Sequence, residues 1–527
     1  MIMTMSLLAV LAVFFLFYAI FYYVVADDAF ITFRVARNIV NGYGIVWNPG
    51  GERIDVCTSK LGLLLSTIPF YFNIDPLLYS RILYTFLTLL SAIMAAYMVK
   101  ITINSYWISV WCFAAILLPA PSVIQAIHGM DTPLYIFMLM LLLYLFHINA
   151  NLWIFYSISF FVVLTRPEGI VLVFYLFYFH IKSNKISNNI HIPFMAFLFP
   201  LLLFILFQKT YFGSPLPSSF YFKFHKEDFI NARYFQCLFL FLNQVAMPFF
   251  LLTFLQILWD RKSLPRLFWL STGFFILGSI SYIFFDLRMN IYHRFFMHYY
   301  PFIVISSAIS FKTLIYDKYF EKRYFVFLLS IMLLLATIRT SFMPCWLQYR
   351  DYAWGIHNVL IPSGKILNKY SEYKFKLITH FAGIIPYESD WNTLDLLGLV
   401  SRETNDYRFK SGKYNIIGDE ITIDLFYDFN PDVAIFQYSA DWMTITKDNR
   451  FHQFDIVNIT PLTLNGKCVF VVKKDNKIYD ELKEDLKSIA VSDLDTSEFN
   501  NIAKIGKALL GDKLYSKIML ALSGLIN

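Results

Sequence analysis

Long apolar runs, separated by short polar stretches, fill the first two thirds of the chain. A helix of about 20 apolar residues is long enough to cross a bilayer. The first run has no basic start and no small-residue cleavage site, which predicts an uncleaved first helix rather than a signal peptide. The pattern predicts about eleven membrane-spanning helices, namely Met5–Ala26, Pro76–Val99, Tyr106–Pro119, Pro133–Asn149, Leu152–Thr165, Gly169–Ile181, Ile192–Phe207, Tyr234–Leu258, Leu267–Phe285, Tyr292–Phe311 and Tyr324–Ile338.

The hydrophobic pattern changes near residue 340. Short apolar runs such as Val433–Phe436 and Val469–Val472 are typical of buried strands, and Asp480–Ile489 is polar and helix-like. The change predicts a transmembrane module over 1–339, with a first outer loop over 27–60. A C-terminal α/β domain is expected over 340–527, and we find no internal repeat.

The composition excludes several classes of protein. The 527 residues are 58% hydrophobic and 15% charged, with a mean hydropathy of +0.55. A soluble domain is roughly a quarter charged and about 45–50% apolar. Soluble, disordered and disulfide-scaffold proteins are therefore excluded, and a membrane protein remains. The five cysteines have no spacing typical of a metal site or a redox pair.

The net charge of +7 is unevenly distributed. Residues 341–527 contain 21 Lys and Arg against 24 Asp and Glu, a balance of −3, so residues 1–340 carry +10. With the N-terminus inside, basic turns at residues 100, 182–185, 261–266 and 312–323 face the cytoplasm, as the positive-inside rule expects. An odd number of spans then places the C-terminal domain outside. No basic run is interleaved with aromatic residues, so nucleic acid is not an expected partner.

Two adjacent acids, Asp27 and Asp28, directly follow the first apolar run. Carboxylates at a membrane boundary are costly to desolvate unless they pair with a cation, a metal or a substrate, although a solvated helix end is the alternative. Apolar residues at positions 30, 33, 36 and 40 then mark one helical stripe, with Arg34 and Arg37 on a neighbouring face. This spacing predicts an amphipathic helix on the outer membrane surface.

The segment over residues 27–53 resembles the opening of a known family. It reads DDAFITFRVARNIVNGYGIVWNPGGER and is similar to GT-C glycosyltransferases, among them relatives of the mycobacterial terminal arabinofuranosyltransferase and Gram-negative lipopolysaccharide-biosynthesis proteins. Shorter similarities are GMDTPL (129–134), LTRPEG (164–169), YFGSPLPSS (211–219), AGIIPY (382–387) and DLLGL (395–399). One departure is VCTSKLG at 56–62, where the family has a Gly-Tyr-Thr type of segment. The sugar and acceptor of the mycobacterial enzymes are therefore not carried over.

The resemblance implies a chemistry and a location. It implies transfer of a sugar from a polyprenyl-phosphate donor to a cell-envelope glycan, such as lipopolysaccharide, on the periplasmic face of a bacterial inner membrane. A carboxylate must take the acceptor proton, and we prefer Asp28 over Asp27 for that role. Cationic side chains, or Mg²⁺ or Mn²⁺ held by Asp27 or Asp28, would stabilise the leaving phosphate. No other cofactor is expected.

Several basic residues are candidates for binding the donor phosphate. Arg34, Arg294 and Arg166 are the main ones. For Arg34 the alternative is an arginine that snorkels to lipid headgroups, and for Arg166 an internal ion pair with Glu168. The remaining substrate-binding candidates, each with a structural or solvated alternative, are Arg37, Lys60, Glu168, Lys223, His293, His128 and Asp131.

Two other functions remain open at this point. The first is an oligosaccharide ligase or polymerase with a diphosphate-linked donor, which usually depends on Arg and His in a large outer loop. The second is a flippase or transporter of lipid-linked sugars, a class favoured by internal repeats and broken helices near the bilayer midplane. The sequence shows neither transporter feature, and its paired acids lie at the predicted outer surface.

Overall fold

The structure of the protein is a computed structural model. It describes residues 11–13, 15–16, 25–182, 191–223, 232–285, 287, 290–317, 323–402, 404, 420–437, 445–462 and 467–489. Most of the predicted first span, Met5–Ala26, lies outside the described residues, and residues 11–13 and 15–16 within it are helical. Helices in the N-terminal two thirds are Asp27–Val40, Lys60–Tyr71, Pro76–Ile103, Tyr106–Leu117, Ala120–Ile127, Thr132–His147, Leu152–Thr165, Gly169–Lys182, His191–Phe212, Ser218–Lys223, Ala232–Trp259, Arg266–Ile280, Arg294–Met297, Tyr300–Phe311 and Arg323–Gly355.

Several of these helices have the length and apolarity of membrane spans. In the described part of the chain, Pro76–Ile103, His191–Phe212 and Ala232–Trp259 qualify singly. Tyr106–Leu117 and Ala120–Ile127 qualify as a pair that bends by 61°. The bend falls at Pro119, where a helix interior cannot be continued without loss of a hydrogen bond. The chain is a multi-pass membrane protein, and the count of eleven spans stays a prediction.

Helix bounds differ from the predicted ones at several ends, and two of the differences bear on the site and on the domain boundary. The predicted span Tyr292–Phe311 opens with a break, because Tyr292 and His293 adopt left-handed φ angles of 53° and 58° and a new helix starts at Arg294. The last span continues well beyond Ile338, as the single helix Arg323–Gly355. The expected boundary at 339/340 therefore falls inside a continuous helix.

The C-terminal part contains the small α/β unit that the sequence predicts. Its strands are β1 (Lys376–Thr379), β2 (Asn392–Asp395), β3 (Val433–Gln437), β4 (Phe454–Pro461) and β5 (Lys467–Lys473), in the order β2-β1-β3-β5-β4. Strand β1 runs parallel to β2 and β3, and β5 runs antiparallel to β3 and β4. The accompanying helices are Ile361–Asn368, Ile384–Ser389, Glu420–Phe429 and Tyr479–Lys487.

The helix Asp27–Val40, called the Asp-Asp helix below, packs between the two halves of the chain. Phe30 and Phe33 join the core that contains Ile384 and one of the two buried faces of the sheet. Ile31 and Val35 pack instead against the following loop at Trp47 and Val56. Eight of its residues are buried on several faces. The helix forms as predicted, but its apolar stripe is covered by protein rather than by the membrane surface.

Candidate active site

Asp28 and Arg294 form an ion pair at the centre of the candidate site. Nη1 of Arg294 donates a hydrogen bond of 3.0 Å to Oδ2 of Asp28. The side chain of Arg294 is 8% exposed and that of Asp28 is 20% exposed. The helical break at Tyr292 and His293 starts a new turn at Arg294, which brings two residues 266 positions apart into contact.

The ion pair lines a cavity of about 190 Å³, called the charged cavity below. Arg166 and Asp131 supply two more charged side chains to its wall. Hydroxyl groups complete the polar lining, and they come from Thr32, Thr58, Ser59, Ser66, Tyr84 and Ser219. The structure thus brings together four of the residues singled out in the sequence: Asp28, Arg294, Arg166 and Asp131.

Arg166 is held between two carboxylates. Nη2 lies 3.6 Å from Oδ1 of Asp131, and Nη1 lies 3.3 Å from Oε1 of Glu168. The Tyr282 hydroxyl donates a hydrogen bond of 2.8 Å to the same Glu168 oxygen. The expected ion pair with Glu168 therefore forms, and it does not remove Arg166 from the cavity wall.

Polar atoms around the charged cavity are left without protein partners. Nε of Arg166, Nε of Arg294 and Oδ2 of Asp131 are buried and make no hydrogen bond to the residues that the structure describes. Unsatisfied buried polar groups are uncommon in native proteins and point to a bound water, ion or ligand. Both arginines therefore retain donors that a bound anion can use.

A smaller cavity of about 40 Å³ adjoins the charged cavity and shares Thr58, Arg166 and Ser219 with it. Its remaining wall is largely apolar, with Phe220 and Phe295 among the lining residues. Glu168 and Tyr282 also line this small cavity, so the Arg166–Glu168 ion pair lies between the two cavities.

Asp27 plays a different part from its neighbour. Its carboxylate oxygens accept hydrogen bonds from the backbone N–H groups of Ile384 (2.7 Å) and Gly383 (3.1 Å), and its own N–H donates to the Tyr352 hydroxyl at 3.0 Å. A Cβ at Gly383 would overlap the Asp27 carbonyl oxygen, so the close approach requires glycine. Asp27 thus joins the Asp-Asp helix to the sheet-bearing part.

Burial raises the pKa of Asp27 from 3.8 to about 7, and the charge of Asp28 adds to the increase. The two backbone hydrogen bonds oppose that increase. A pKa near neutrality suits a general base, but a base must also reach the proton that it takes. Asp27 does not line the charged cavity and Asp28 does, so the geometry favours Asp28.

The raised pKa of Asp27 predicts a pH-dependent stability. The folded state binds this proton more tightly than the unfolded state, so the stabilisation is complete below pH 3.8 and is lost as the pH rises through about 7. We expect the melting temperature of the wild type, relative to Asp27→Asn, to fall between pH 4 and 7. Thermal unfolding in detergent measures this difference. The melting temperature of the control Asp75→Asn should depend on pH as that of the wild type does. If the melting temperature of Asp27→Asn also followed the wild type at every pH, the raised pKa of Asp27 would be contradicted.

Arg34 does not reach the charged cavity, which corrects its prediction as a phosphate ligand. Its side chain is fully buried. Nε donates to the Trp47 carbonyl (2.8 Å), Nη1 donates to the Pro386 carbonyl, and Nη2 donates to the Trp391 carbonyl (2.8 Å) and to Oδ1 of Asn48 (3.1 Å). With its donors engaged by protein oxygens, Arg34 is a structural residue that joins the first loop to the C-terminal part.

Arg37 and Lys60 are also engaged elsewhere. Nη2 of Arg37 donates to Oδ1 of Asp390 at 2.9 Å and to the Tyr387 carbonyl at 3.1 Å. Lys60 Nζ donates to Oδ1 of Asp55 and to the Cys57 carbonyl. Neither side chain lines the charged cavity, so the structure gives both residues a structural role in place of the predicted substrate contact.

The two histidine candidates lie outside the cavity wall as well. His128 is buried, its carbonyl accepts from the Ala26 N–H at 2.9 Å, and its Nδ1 accepts from the Met130 N–H at 3.4 Å. Nε2 of His293 lies 2.8 Å from Oε1 of Gln244. Both side chains therefore contact other parts of the protein, in agreement with the structural role that was the alternative for these residues. Lys223 ends the helix Ser218–Lys223, and its side chain lies outside the described residues.

The residues present do not favour a metal ion. Within the described ranges, no group of three or more His, Cys, Asp or Glu side chains could hold one. The Asp27 oxygens bind backbone N–H groups and Asp28 binds Arg294, so the two carboxylates do not form a joint ligand set. The mechanism proposed below therefore assigns the leaving phosphate to arginine side chains and not to Mg²⁺ or Mn²⁺.

Sequence reasoning missed several residues of the site. Ser219 ends the YFGSPLPSS segment, and its hydroxyl lies 2.7 Å from that of Thr58, in the segment that departs from the family pattern. The only indication in the sequence was that each residue lies in a segment compared with the family pattern, Ser219 in 211–219 and Thr58 in 56–62. No feature of the sequence singled out Tyr282 or Tyr352. Tyr282 lies in an apolar run and Tyr352 lies after one, and each acquires its role only through contacts with distant residues.

Comparison with solved structures places the fold. ArnT from Cupriavidus metallidurans bound to undecaprenyl phosphate has a TM-score of 0.55 and 10% identity, covering 88% of this chain and 97% of ArnT. The apo form of that protein has a TM-score of 0.57 and 10% identity, covering 93% and 99%. The oligosaccharyltransferase AglB from Archaeoglobus fulgidus has a TM-score of 0.45 and 11% identity, covering 82% and 69%.

Comparison of sequences adds one match. Residues 348–471 match a family described as "Domain of unknown function (DUF8728)". No curated protein matches the chain. The chain thus has a fold similar to that of ArnT, in agreement with the fold that the resemblance of residues 27–53 implies.

Proposed function

We propose that the protein is a glycosyltransferase that moves a sugar from a polyprenyl-phosphate donor to a cell-envelope glycan. One observation carries the proposal: Asp28, Arg294 and Arg166 converge on one cavity in a fold shared with ArnT. The ArnT structure that supports the choice of donor is bound to undecaprenyl phosphate.

Asp28 is the proposed base. Oδ2 accepts the hydrogen bond from Arg294, while Oδ1 makes no hydrogen bond to the described residues and can accept the proton of an acceptor hydroxyl. The acceptor oxygen forms a bond to the anomeric carbon as the bond from that carbon to the phosphate oxygen breaks. The electron pair leaves with the lipid phosphate, and the direct displacement inverts the anomeric configuration.

Arg294 and Arg166 stabilise the charge that develops on the leaving phosphate. Fixed cations in a partly buried site act without the reorganisation that water would require. Each has a buried Nε without a partner among the described residues, and each keeps a carboxylate neighbour that orients its guanidinium. Asp131 and Glu168 are positioning residues in this scheme.

The proposal includes a location. The protein would lie in a bacterial inner membrane with about eleven spans, a cytoplasmic N-terminus and a periplasmic C-terminal part, where the acceptor is lipopolysaccharide or a related polysaccharide. The basic turns that the sequence predicts on the cytoplasmic side support this orientation. The rival transporter has less support, because the cavity pairs a carboxylate with two phosphate-binding candidates, as a transfer reaction needs.

The function is tested by the envelope glycans of a deletion strain. We expect mass spectrometry to show that one sugar is missing from the glycan and that expression of the wild type restores it. The polyprenyl-phosphate form of that sugar should accumulate in the deletion strain. Identical glycan profiles with and without the gene would contradict the proposal. Accumulation of the donor on the cytoplasmic face alone would indicate a flippase.

A further inference from the structure

A second cavity, of about 380 Å³, lies between the first loop and the edge of the sheet. It is called the Glu52 cavity below. Its wall includes Glu52 and Asn392 as exposed polar residues and Phe429 as an aromatic one. The volume lies within the range of about 300–1,000 Å³ that is usual for small-molecule sites.

The Glu52 cavity is next to the charged cavity. Along the first loop, Ile54 lines the Glu52 cavity and Val56 lines the charged one; farther along the chain, Leu399 lines the charged cavity and Val400 the other. The two cavities thus lie on opposite sides of the same two segments. A glycan held in the Glu52 cavity therefore lies beside the charged cavity.

The chemistry of the wall restricts the occupant. Glu52 is the one charged side chain among the described residues that line the cavity, so a lipid phosphate is not favoured there. The Glu52 carboxylate and the Asn392 amide make no hydrogen bond or ion pair with described residues, so both can bind hydroxyl groups. Ile54, Leu394 and Phe429 supply apolar surface for the C–H faces of a sugar ring.

A peptide is not favoured either, although β2 is an edge strand. Its free edge is already hydrogen-bonded by side chains. Nδ2 of Asn48 donates to the Thr393 carbonyl at 2.9 Å, the Thr393 N–H donates to Oδ1 of Asn48 at 3.3 Å, and the Asp395 N–H donates to Oγ of Ser401 at 2.9 Å. An added strand would find these main-chain groups engaged.

The geometry points to the Glu52 cavity as a binding site for an uncharged, hydroxyl-rich stretch of the acceptor glycan. Glu52 and Asn392 hold its hydroxyl groups, and Phe429 lies beside its apolar faces. The inference rests on the proposed function, since it assigns the acceptor of the same reaction. It also gives a role to the loop residues Trp47–Arg53, of which Asn48 holds the strand edge and Glu52 faces the ligand.

The test measures binding, which does not depend on catalysis. The probe is delipidated, dephosphorylated envelope polysaccharide from the deletion strain, titrated calorimetrically into the full-length protein in nanodiscs. The variant is the double substitution Glu52→Ala, Asn392→Ala, at two exposed positions. The control is Glu372→Ala, at an exposed acid elsewhere in the C-terminal part.

We expect the double variant to raise the Kd about tenfold, since it removes two hydrogen-bonding groups, and the control to keep the wild-type Kd. An unchanged Kd in the double variant, or no binding by the wild type, would overturn the inference. Competition by inorganic phosphate would also overturn it, because it would reveal an anion site. If the wild type binds glycan through Glu52 but transfers no sugar, the proposed function fails and the binding site stands.

Discussion

Asp28→Asn is expected to lower the rate of sugar transfer by roughly 10²–10⁴-fold, the usual contribution of a positioned general base. The amide oxygen of asparagine can still accept the hydrogen bond that Arg294 donates at 3.0 Å, so the fold and the cavity should persist. The amide cannot take the acceptor proton. The measurement is the transfer rate of purified protein in nanodiscs, with donor lipid and acceptor glycan extracted from the deletion strain.

Asp75→Asn is the matched control for this substitution. Oδ1 of Asp75 accepts from the Leu78 N–H at 2.8 Å and caps the helix Pro76–Ile103, away from the charged cavity. Asparagine caps helices about as well as aspartate, so this variant should keep the wild-type rate and stability. Full activity in Asp28→Asn would show that Asp28 is not the base. Activity lost only in Asp27→Asn, with stability retained, would transfer the role to Asp27.

Arg34→Lys is expected to destabilise the protein strongly. Arginine serves four oxygens at once through Nε, Nη1 and Nη2, whereas one ammonium group cannot span them. Each of the four oxygens keeps one other donor, so the cost is that of the lost hydrogen bonds to a charged group, roughly 1.5–3 kcal/mol each. We therefore expect a clear fall in melting temperature in detergent, accompanied by exposure of the junction around Trp391 to proteolysis.

Arg53→Lys serves as the control for the same exchange, at a position in the loop that follows the Asp-Asp helix. Arg53 is exposed, and its guanidinium lies 4.6 Å from the centroid of the Tyr211 ring, so its replacement should change the melting temperature little. A stable Arg34→Lys protein with weakened binding of polyprenyl phosphate would contradict the structural role of Arg34. It would restore Arg34 as a phosphate ligand.

Much of the architecture could be predicted because it depends on local patterns. Apolar runs predict spans through their length, and short apolar runs such as Val469–Val472 predict buried strands, which the sheet confirms. The Asp-Asp helix follows from its periodicity. Span bounds failed where the chain breaks, since the left-handed Tyr292 and His293 have no composition that distinguishes them from helical residues.

The roles of individual charged residues were harder to predict. Arg34 and Arg294 are both arginines at a predicted outer boundary of the membrane. Nothing in the sequence shows which of them binds protein groups and which lines a cavity. The difference lies in partners that are distant along the chain: Arg34 meets Pro386 and Trp391, while Arg294 meets Asp28. Burial and hydrogen-bond satisfaction are properties of the folded chain.

The sequence by itself determined that the chain enters a membrane, that a pair of acids opens a helix after the first apolar run, and that a small α/β unit follows. These depend on hydrophobicity and periodicity, which are local. Only the tertiary structure decided which acid faces the cavity. Adjacent helical side chains point about 100° apart, so docking of Asp27 onto Gly383 and Ile384 leaves Asp28 to face Arg294.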